Sequence, residues 1–167
     1  RDYLVPMAVE EPSVVAAASH AARIVRDAGG YAADTDPSVM IAQIQLVKVP
    51  DMELAVCRLQ ESRAALLAAA DAVHPNMKRR GGGAKEIEVR PFAETPAGPM
   101  LVVHVLADVG DAMGANAVNA IAEALAPLVE ELSGGEARLR ILSNLADRRL
   151  ARASFRIPFD QLTTTEQ

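Results

Sequence analysis

An apolar strand pattern that leads through a small glycine-containing turn into a long amphipathic helix constrains the fold of this chain most. Met100–Asp108 is rich in β-branched residues and has the length of one strand. From Val118 to Leu132 the apolar residues recur at the i, i+3, i+4, i+7 spacing of one helix face. The sequence therefore predicts a strand, a turn at Asp111–Asn116 and a helix over 115–132.

The turn at Asp111–Asn116 is a candidate site for an anion or a nucleotide. Backbone N–H groups in the first turn of a helix have no intrahelical partner and share the positive end of the helix dipole, so they can hold a pyrophosphate. Gly114 would let the ligand approach closely. From spacing alone, the residues fit better a connection without ligand, in which Asp111 or Asn116 caps the helix and Gly114 merely permits the turn. A single glycine does not support a Rossmann fingerprint.

The remaining periodicity predicts an α+β fold with the element order βαββαβ. That order is typical of a ferredoxin-like antiparallel sandwich, with the first and third strands central and both helices on one face. We expect this domain at 38–143, and the flanks 1–37 and 144–167 to belong to a second, larger domain into which it is inserted. The predicted strands are 40–49, 85–92, 100–109 and 138–141, and the predicted helices are 52–73 and 115–132.

Composition excludes several classes of function. The net charge of −5, the 3% aromatic content and the absence of tryptophan argue against nucleic-acid binding. A lone cysteine, Cys57, excludes an internal disulfide framework and fits a cytoplasmic location. No metal-binding or P-loop motif is present, and no apolar run approaches the roughly 20 residues that span a membrane. Because the chain starts at Arg1 without a leader, we expect it to begin inside a longer protein.

Several segments, taken together and in order, resemble class II 3-hydroxy-3-methylglutaryl-coenzyme A reductase, the bacterial form. The resemblance covers essentially the whole chain, and it implies a small ferredoxin-like cofactor domain inserted in a larger α/β substrate-binding domain that is only partly present. The segments that carry it are Val5–Ser13, Gly81–Gly83, Thr95–Pro99, Asp111–Asn116 and Ile141–Asp147.

The resemblance implies the interconversion of hydroxymethylglutaryl-CoA with mevalonate and free coenzyme A, using two hydrides from NADH or NADPH. It implies that Glu11 is the catalytic acid and that Ser13 contacts the free carboxylate of the substrate. Without the family, Glu10 and Glu11 would be acidic residues favoured at a helix N-terminus, and Ser13 a plain cap. The family's lysine, aspartate and histidine lie beyond Gln167, so we expect no turnover from this chain alone.

The same resemblance assigns the cofactor-binding residues. It also implies a homodimer or higher homo-oligomer, without a nucleic-acid or membrane partner. Asn144 could instead be a turn residue at a domain crossover. The cofactor-binding residues are Asp111, Ala112, Met113, Gly114, Ala115, Asn116, Asn144 and His74.

His74 bears on the choice between the two cofactors. Relatives that use NADH carry an aspartate at this position, which would repel a 2′-phosphate. Here His74 is followed by Lys78, Arg79 and Arg80, which together could attract that phosphate, or could simply form a solvated basic loop. The sequence thus favours an enzyme with a relaxed cofactor preference or a preference for NADPH. The alternative from a different class is a non-catalytic ferredoxin-like module that binds a small ligand or regulates a partner.

Overall fold

The computed structural model describes residues 4–7 and 11–162. The chain divides into two compact units, one made of Arg1–Thr35 with Ala151–Gln167 and the other of Asp36–Leu150. The elements in chain order are α1 (Pro12–Asp27), β1 (Ala32–Thr35), β2 (Val39–Val47), α2 (Met52–Glu61), α3 (Arg63–Val73), α4 (Pro75–Arg79), β3 (Gly83–Phe92), β4 (Met100–Asp108), α5 (Ala115–Ser133), β5 (Glu136–Leu142), β6 (Ala151–Ser154) and a 3-10 turn (Phe159–Gln161).

A four-stranded antiparallel sheet with the order β3-β4-β2-β5 forms the Asp36–Leu150 unit. The first and third strands of this unit, β2 and β4, are central, which confirms the prediction made from their apolar sequences. The predicted βαββαβ order is also confirmed. The helix expected over 52–73 is interrupted at Ser62, where φ −85° and ψ 6° separate α2 from α3.

The core of this unit lies between the sheet and the layer formed by α2, α3 and α5. Residues at alternate positions of each strand point into it, as the period of two requires. Full burial of one such aliphatic side chain stabilises the fold by about 1.5–3 kcal/mol relative to leaving it in water. The largest fully buried side chains are Ile44, Leu46, Leu59, Leu66, Leu101, Val103, Val105, Val118, Ile121, Leu125 and Val129.

The other unit contains α1 and a two-stranded antiparallel sheet. β1 and β6 pair in the register Ala32 opposite Ser154 to Thr35 opposite Ala151. The rings of Tyr31 and Phe155, next to the two strands, meet edge to face with centroids 5.6 Å apart. Across the described residues of both units, no helix combines the length and the apolarity needed to cross a membrane.

Candidate functional site

The termini of several elements meet at one end of the four-stranded sheet. Val39 at the start of β2 and Gly83 at the start of β3 are both opposite Asp108, the last residue of β4. Leu142 at the end of β5 is opposite Ala42 of β2. The turn after β4 and the segment after β5 therefore leave the sheet at the same end.

The turn between β4 and α5 is held by hydrogen bonds from its backbone N–H groups. Val109 N–H donates to the Ser38 carbonyl at 3.0 Å, and Gly110 N–H donates to the Asp108 carboxylate at 2.9 Å. The first helical bond of α5 runs from Val118 N–H to the Gly114 carbonyl at 3.0 Å. The N–H groups of residues 115–117 therefore have no partner one turn back, which is the arrangement that favours an anion.

Gly114 is the N-cap residue of α5, and neither Asp111 nor Asn116 occupies that position. The interpretation in which Asp111 or Asn116 is the cap is therefore wrong. The φ of Gly114 is 91°, in the left-handed region that strongly favours glycine. A Cβ at Gly114 would lie 2.8 Å from Val109 Cγ2 and would also collide with Met40 Sδ. The fold itself thus needs this glycine, because its α-carbon is packed against the core.

Met113 and Asn116 present their side chains to solvent on either side of this glycine. Met113 is 70% exposed, and its sulfur lies 3.4 Å from the N–H of Ala115. Asp111 and Ala112 are exposed as well. Since only Gly114 is buried within the turn, the predicted residues around it are available to a ligand.

A cleft of about 470 Å³ separates this turn from the corner between α3 and α4. The imidazole Nε2 of His74, which lines the cleft, lies 3.2 Å from the Ala117 carbonyl oxygen, so the ring donates a hydrogen bond to the first turn of α5. Arg80 lines the same cleft, as do Asp111 and Ala112. The structure therefore brings His74 together with the first residues of the predicted cofactor turn.

The other basic residues of the α4 region are paired with neighbouring side chains and do not line the cleft themselves. Lys78 Nζ lies 2.7 Å from Asp71 Oδ2, and Asp71 Oδ1 accepts the N–H of Ala84 at 2.7 Å. Arg79 pairs with the side chain of Asn76. Arg80 and His74 are consequently the members of this predicted basic group that line the cleft.

Asn144 is exposed in the segment that follows β5. Ser143, just before it, donates its N–H to the Ile41 carbonyl at 2.8 Å, and its hydroxyl oxygen accepts the N–H of Leu145 at 3.1 Å. Further along, the Arg149 guanidinium donates to the carbonyl oxygens of Ala112 and Met113 at 3.4 Å each.

The sequence does not indicate these contacts of Arg149. Its partners are backbone carbonyls 36 and 37 positions away, and a carbonyl carries no residue-type signal.

Glu11 and Ser13 belong to the other unit. Glu11 occupies the N-cap position of α1 with extended backbone angles, φ −129° and ψ 126°, and Pro12 begins the helix. Both side chains are exposed. Ser13 lies inside the first helical turn rather than at the cap, so the interpretation of Ser13 as a plain cap is wrong. Glu10, beside them in the motif, lies outside the described residues.

His104 lies on the sheet face opposite the helices and is only 4% exposed. Its Nδ1 has no hydrogen-bond partner among the described residues and lies 3.8 Å from Glu88 Oε2. Burial lowers the pKa of His104 below its ordinary value, and the positive charge of Arg90 lowers it further. The other oxygen of Glu88 accepts from Arg148 at 2.9 Å. This cluster fastens the segment after β5 to β3.

The similarity to a known protein family extends over the whole chain. The sequence model of the family described as hydroxymethylglutaryl-coenzyme A reductase matches residues 1–167. A 3-hydroxy-3-methylglutaryl-coenzyme A reductase of Archaeoglobus fulgidus is 49% identical over 153 residues, which are 92% of this chain and 35% of the relative. A probable reductase of Borreliella burgdorferi is 31% identical over 160 residues, 96% of this chain and 36% of the relative. The chain thus spans about a third of these relatives.

Solved structures agree with the sequence relatives. The class II 3-hydroxy-3-methylglutaryl-CoA reductase of Streptococcus pneumoniae, bound to NADPH in open conformations, superposes with a TM-score of 0.92 at 42% identity over 98% of this chain and 39% of that one. Another structure from that organism gives 0.88 at 41% identity, over 93% of this chain and 41% of the other. The resemblance inferred from motifs is confirmed, and the chain belongs to the hydroxymethylglutaryl-coenzyme A reductase family.

Proposed function

We propose that this chain forms the cofactor-binding part of an enzyme that interconverts hydroxymethylglutaryl-CoA with mevalonate and coenzyme A. The observation that carries the proposal is the open N-terminus of α5 beside a cleft lined by His74 and Arg80. In this proposal Asp36–Leu150 is the small cofactor domain, close to the predicted range 38–143, and the other unit is part of the larger substrate domain. No observation favours the non-catalytic binding or regulatory module.

The cofactor would be held mainly by backbone groups. The N–H groups of residues 115–117 would bind its phosphates, that of Ala115 by exchanging its bond to Met113 Sδ, with Asp111, Ala112, Met113 and Asn116 around them. The geometry fits such a group, because the turn is exposed on the ligand side and packed through Gly114 on the other. When bound, a nicotinamide supplies the hydride of the reaction. The part played by this domain is therefore to bind and orient the dinucleotide.

Arg80 and His74 support a preference for NADPH over NADH. The 2′-phosphate of NADPH is bound by a cationic or hydrogen-bond-donating group. In proteins that bind NADH, a carboxylate at that position accepts hydrogen bonds from the ribose hydroxyls. His74 already donates from Nε2 to the Ala117 carbonyl, so the guanidinium of Arg80, a permanent cation that lines the same cleft, is the stronger phosphate ligand.

Residues at the other functional positions would act on the substrate. Glu11 would deliver a proton to the carbonyl oxygen, Ser13 would donate to the free carboxylate, and Asn144 would orient the reacting groups by hydrogen bonding. The N-cap geometry leaves the Glu11 carboxyl outside the first turn of α1, and it is exposed and able to meet a ligand. We further propose a cytoplasmic location, which the single Cys57 supports. The family resemblance supports a homodimer or higher homo-oligomer.

Activity is tested in a protein that contains residues 1–167 together with the remaining length of its relatives. We expect oxidation of NADPH that depends on hydroxymethylglutaryl-CoA, and we expect Glu11→Gln to lower kcat by a factor of about 10²–10⁴. Glu53→Gln is the matched control, because Glu53 lies in the first turn of α2, away from the site. Full activity in Glu11→Gln would contradict the assignment of the acid.

Cofactor choice is tested by comparing kcat/KM with NADPH and NADH. We expect Arg80→Ala to lower the value for NADPH about tenfold or more, since a hydrogen bond to a charged group contributes about 1.5–3 kcal/mol, and to leave the value for NADH nearly unchanged. Arg79→Ala is the control, because Arg79 is paired with Asn76. Equal losses with both cofactors would show that Arg80 does not read the 2′-phosphate.

A further inference from the structure

Two consecutive arginines fasten the segment after β5 to two different elements. We name residues 143–150 the crossover segment. Arg148 reaches β3 through Glu88 at 2.9 Å, whereas Arg149 reaches the turn before α5 through the carbonyls of Ala112 and Met113 at 3.4 Å each. The crossover segment is thus tied both to the sheet and to the proposed phosphate-binding turn.

The ends of the crossover segment are fixed independently of these arginines. Ser143 N–H bonds to the Ile41 carbonyl at 2.8 Å at its start. At its end, Leu150 exchanges two bonds with Asp36, of 2.9 Å between backbone groups and 3.2 Å to the carboxylate. Between these anchors, the hydrogen bonds that join the described residues of the segment to the turn are those of Arg149.

A guanidinium is suited to this task because it is planar and presents its donors in a fixed fork. By holding two successive carbonyl oxygens, Arg149 restrains the peptide planes immediately before Gly114. Those planes set the direction from which α5 begins, and so the direction of the N–H groups of residues 115–117. The same contact sets the position of the segment that carries Asn144 relative to the turn.

We propose that Arg149 is a positioning residue that holds the phosphate-binding turn and the Asn144 segment in one arrangement. The assignment rests on the proposed function for its consequence in cofactor binding, but the tether itself can be measured without any cofactor. Arg149 acts through the backbone of the turn and is not assigned a contact with substrate or cofactor.

The experiment compares Arg149→Ala, Arg149→Lys and Arg148→Ala in the protein of full family length. Hydrogen exchange of the segment 109–118 is followed without ligand, and KM for NADPH and kcat are then measured. We expect Arg149→Ala to accelerate exchange in this segment and to raise KM about tenfold, with a smaller fall in kcat from the displaced Asn144 segment. Arg149→Lys, which can hold one carbonyl but not fork two, should lie between Arg149→Ala and wild type. Arg148→Ala should leave both readouts near wild type.

Equal exchange at 109–118 in Arg149→Ala and wild type would overturn the tether. A loss of kcat and stability in Arg149→Ala without a selective rise in KM would also overturn the proposal, because it would show a general structural role. A wild-type protein that neither binds nor oxidises NADPH would overturn the proposed function alone, since the exchange comparison needs no cofactor.

Discussion

Substitution of Gly114 by alanine tests whether the turn before α5 is constrained from inside the protein. The added Cβ would lie 2.8 Å from Val109 Cγ2, closer than side-chain carbons pack, and the φ of 91° disfavours any residue with a Cβ. Gly110 is the matched control in the same turn. Its φ of 58° is also left-handed, but a Cβ there meets nothing within 4 Å.

Comparison of the two glycine variants separates the cost of a left-handed backbone from the cost of overpacking. A left-handed backbone costs about 1–2 kcal/mol for a residue with a Cβ, and both variants bear this cost. Overpacking of a well-packed site adds about 1–3 kcal/mol, and only Gly114→Ala bears it. We therefore expect Gly114→Ala to lower the free energy of unfolding by about 2–5 kcal/mol in total, and Gly110→Ala by about 1–2 kcal/mol.

Urea unfolding followed by far-UV circular dichroism measures this difference. With a slope of about 2 kcal/mol per molar, the midpoint of Gly114→Ala should lie about 0.5–1.5 M below that of Gly110→Ala. Val109→Ala should offset part of the loss when combined with Gly114→Ala, because it removes one of the two colliding groups, the other being Met40 Sδ. Equal midpoints for the two single variants would refute the packing argument. Without this measurement, a loss of cofactor binding in a Gly114 variant would be mistaken for loss of a direct contact with the phosphate.

Three further outcomes follow from the described contacts. Burial lowers the pKa of His104 below 6.5, so on acidification the unfolded chain binds this proton before the folded protein does. The free energy of unfolding of wild type should therefore fall below about pH 6.5 more steeply than that of His104→Gln. Parallel pH profiles of the unfolding free energy, measured by urea titration, would contradict this. Asp71→Ala should cost about 1–3 kcal/mol by the same method, and Lys78→Ala, an exposed partner, less than about 1 kcal/mol. Asp51→Ala should cost about 1 kcal/mol, since Asp51 caps α2 through the N–H of Leu54; an unchanged midpoint would mean that the cap contributes nothing.

Patterns with a strong period predicted the antiparallel unit well. The apolar stripe that begins at Val118 predicted a helix at 115–132, and the structure has Ala115–Ser133. The strands β2, β3 and β4 begin within two residues of their predicted starts. Burial on one face imposes these periods on the sequence, so the pattern and the structure share one physical cause.

Features that depend on distant partners could not be predicted in this way. β1 has the sequence Ala-Ala-Asp-Thr, with no alternation, and it forms a strand because β6 pairs with it from the far end of the chain. Lys78 and Arg80 look alike in sequence, but Asp71 lies beside Lys78 while Arg80 faces the cleft. Arg149 binds carbonyl groups, which no residue pattern marks.

The central claim is that the N-terminus of α5 binds the phosphates of a nicotinamide cofactor, and Asn116→Asp tests it most directly. A carboxylate in the first turn of a helix stabilises the helix by about 0.3–1 kcal/mol, but it repels a phosphate a few ångströms away by about 1–4 kcal/mol. Calorimetric titration of the full-length protein with NADPH should therefore give a Kd raised about tenfold or more, while Tm stays unchanged or rises. Gln60→Glu, an exposed change of the same charge on α2, should leave the Kd within about twofold. An unchanged Kd in Asn116→Asp would contradict the assignment of this turn as the phosphate site.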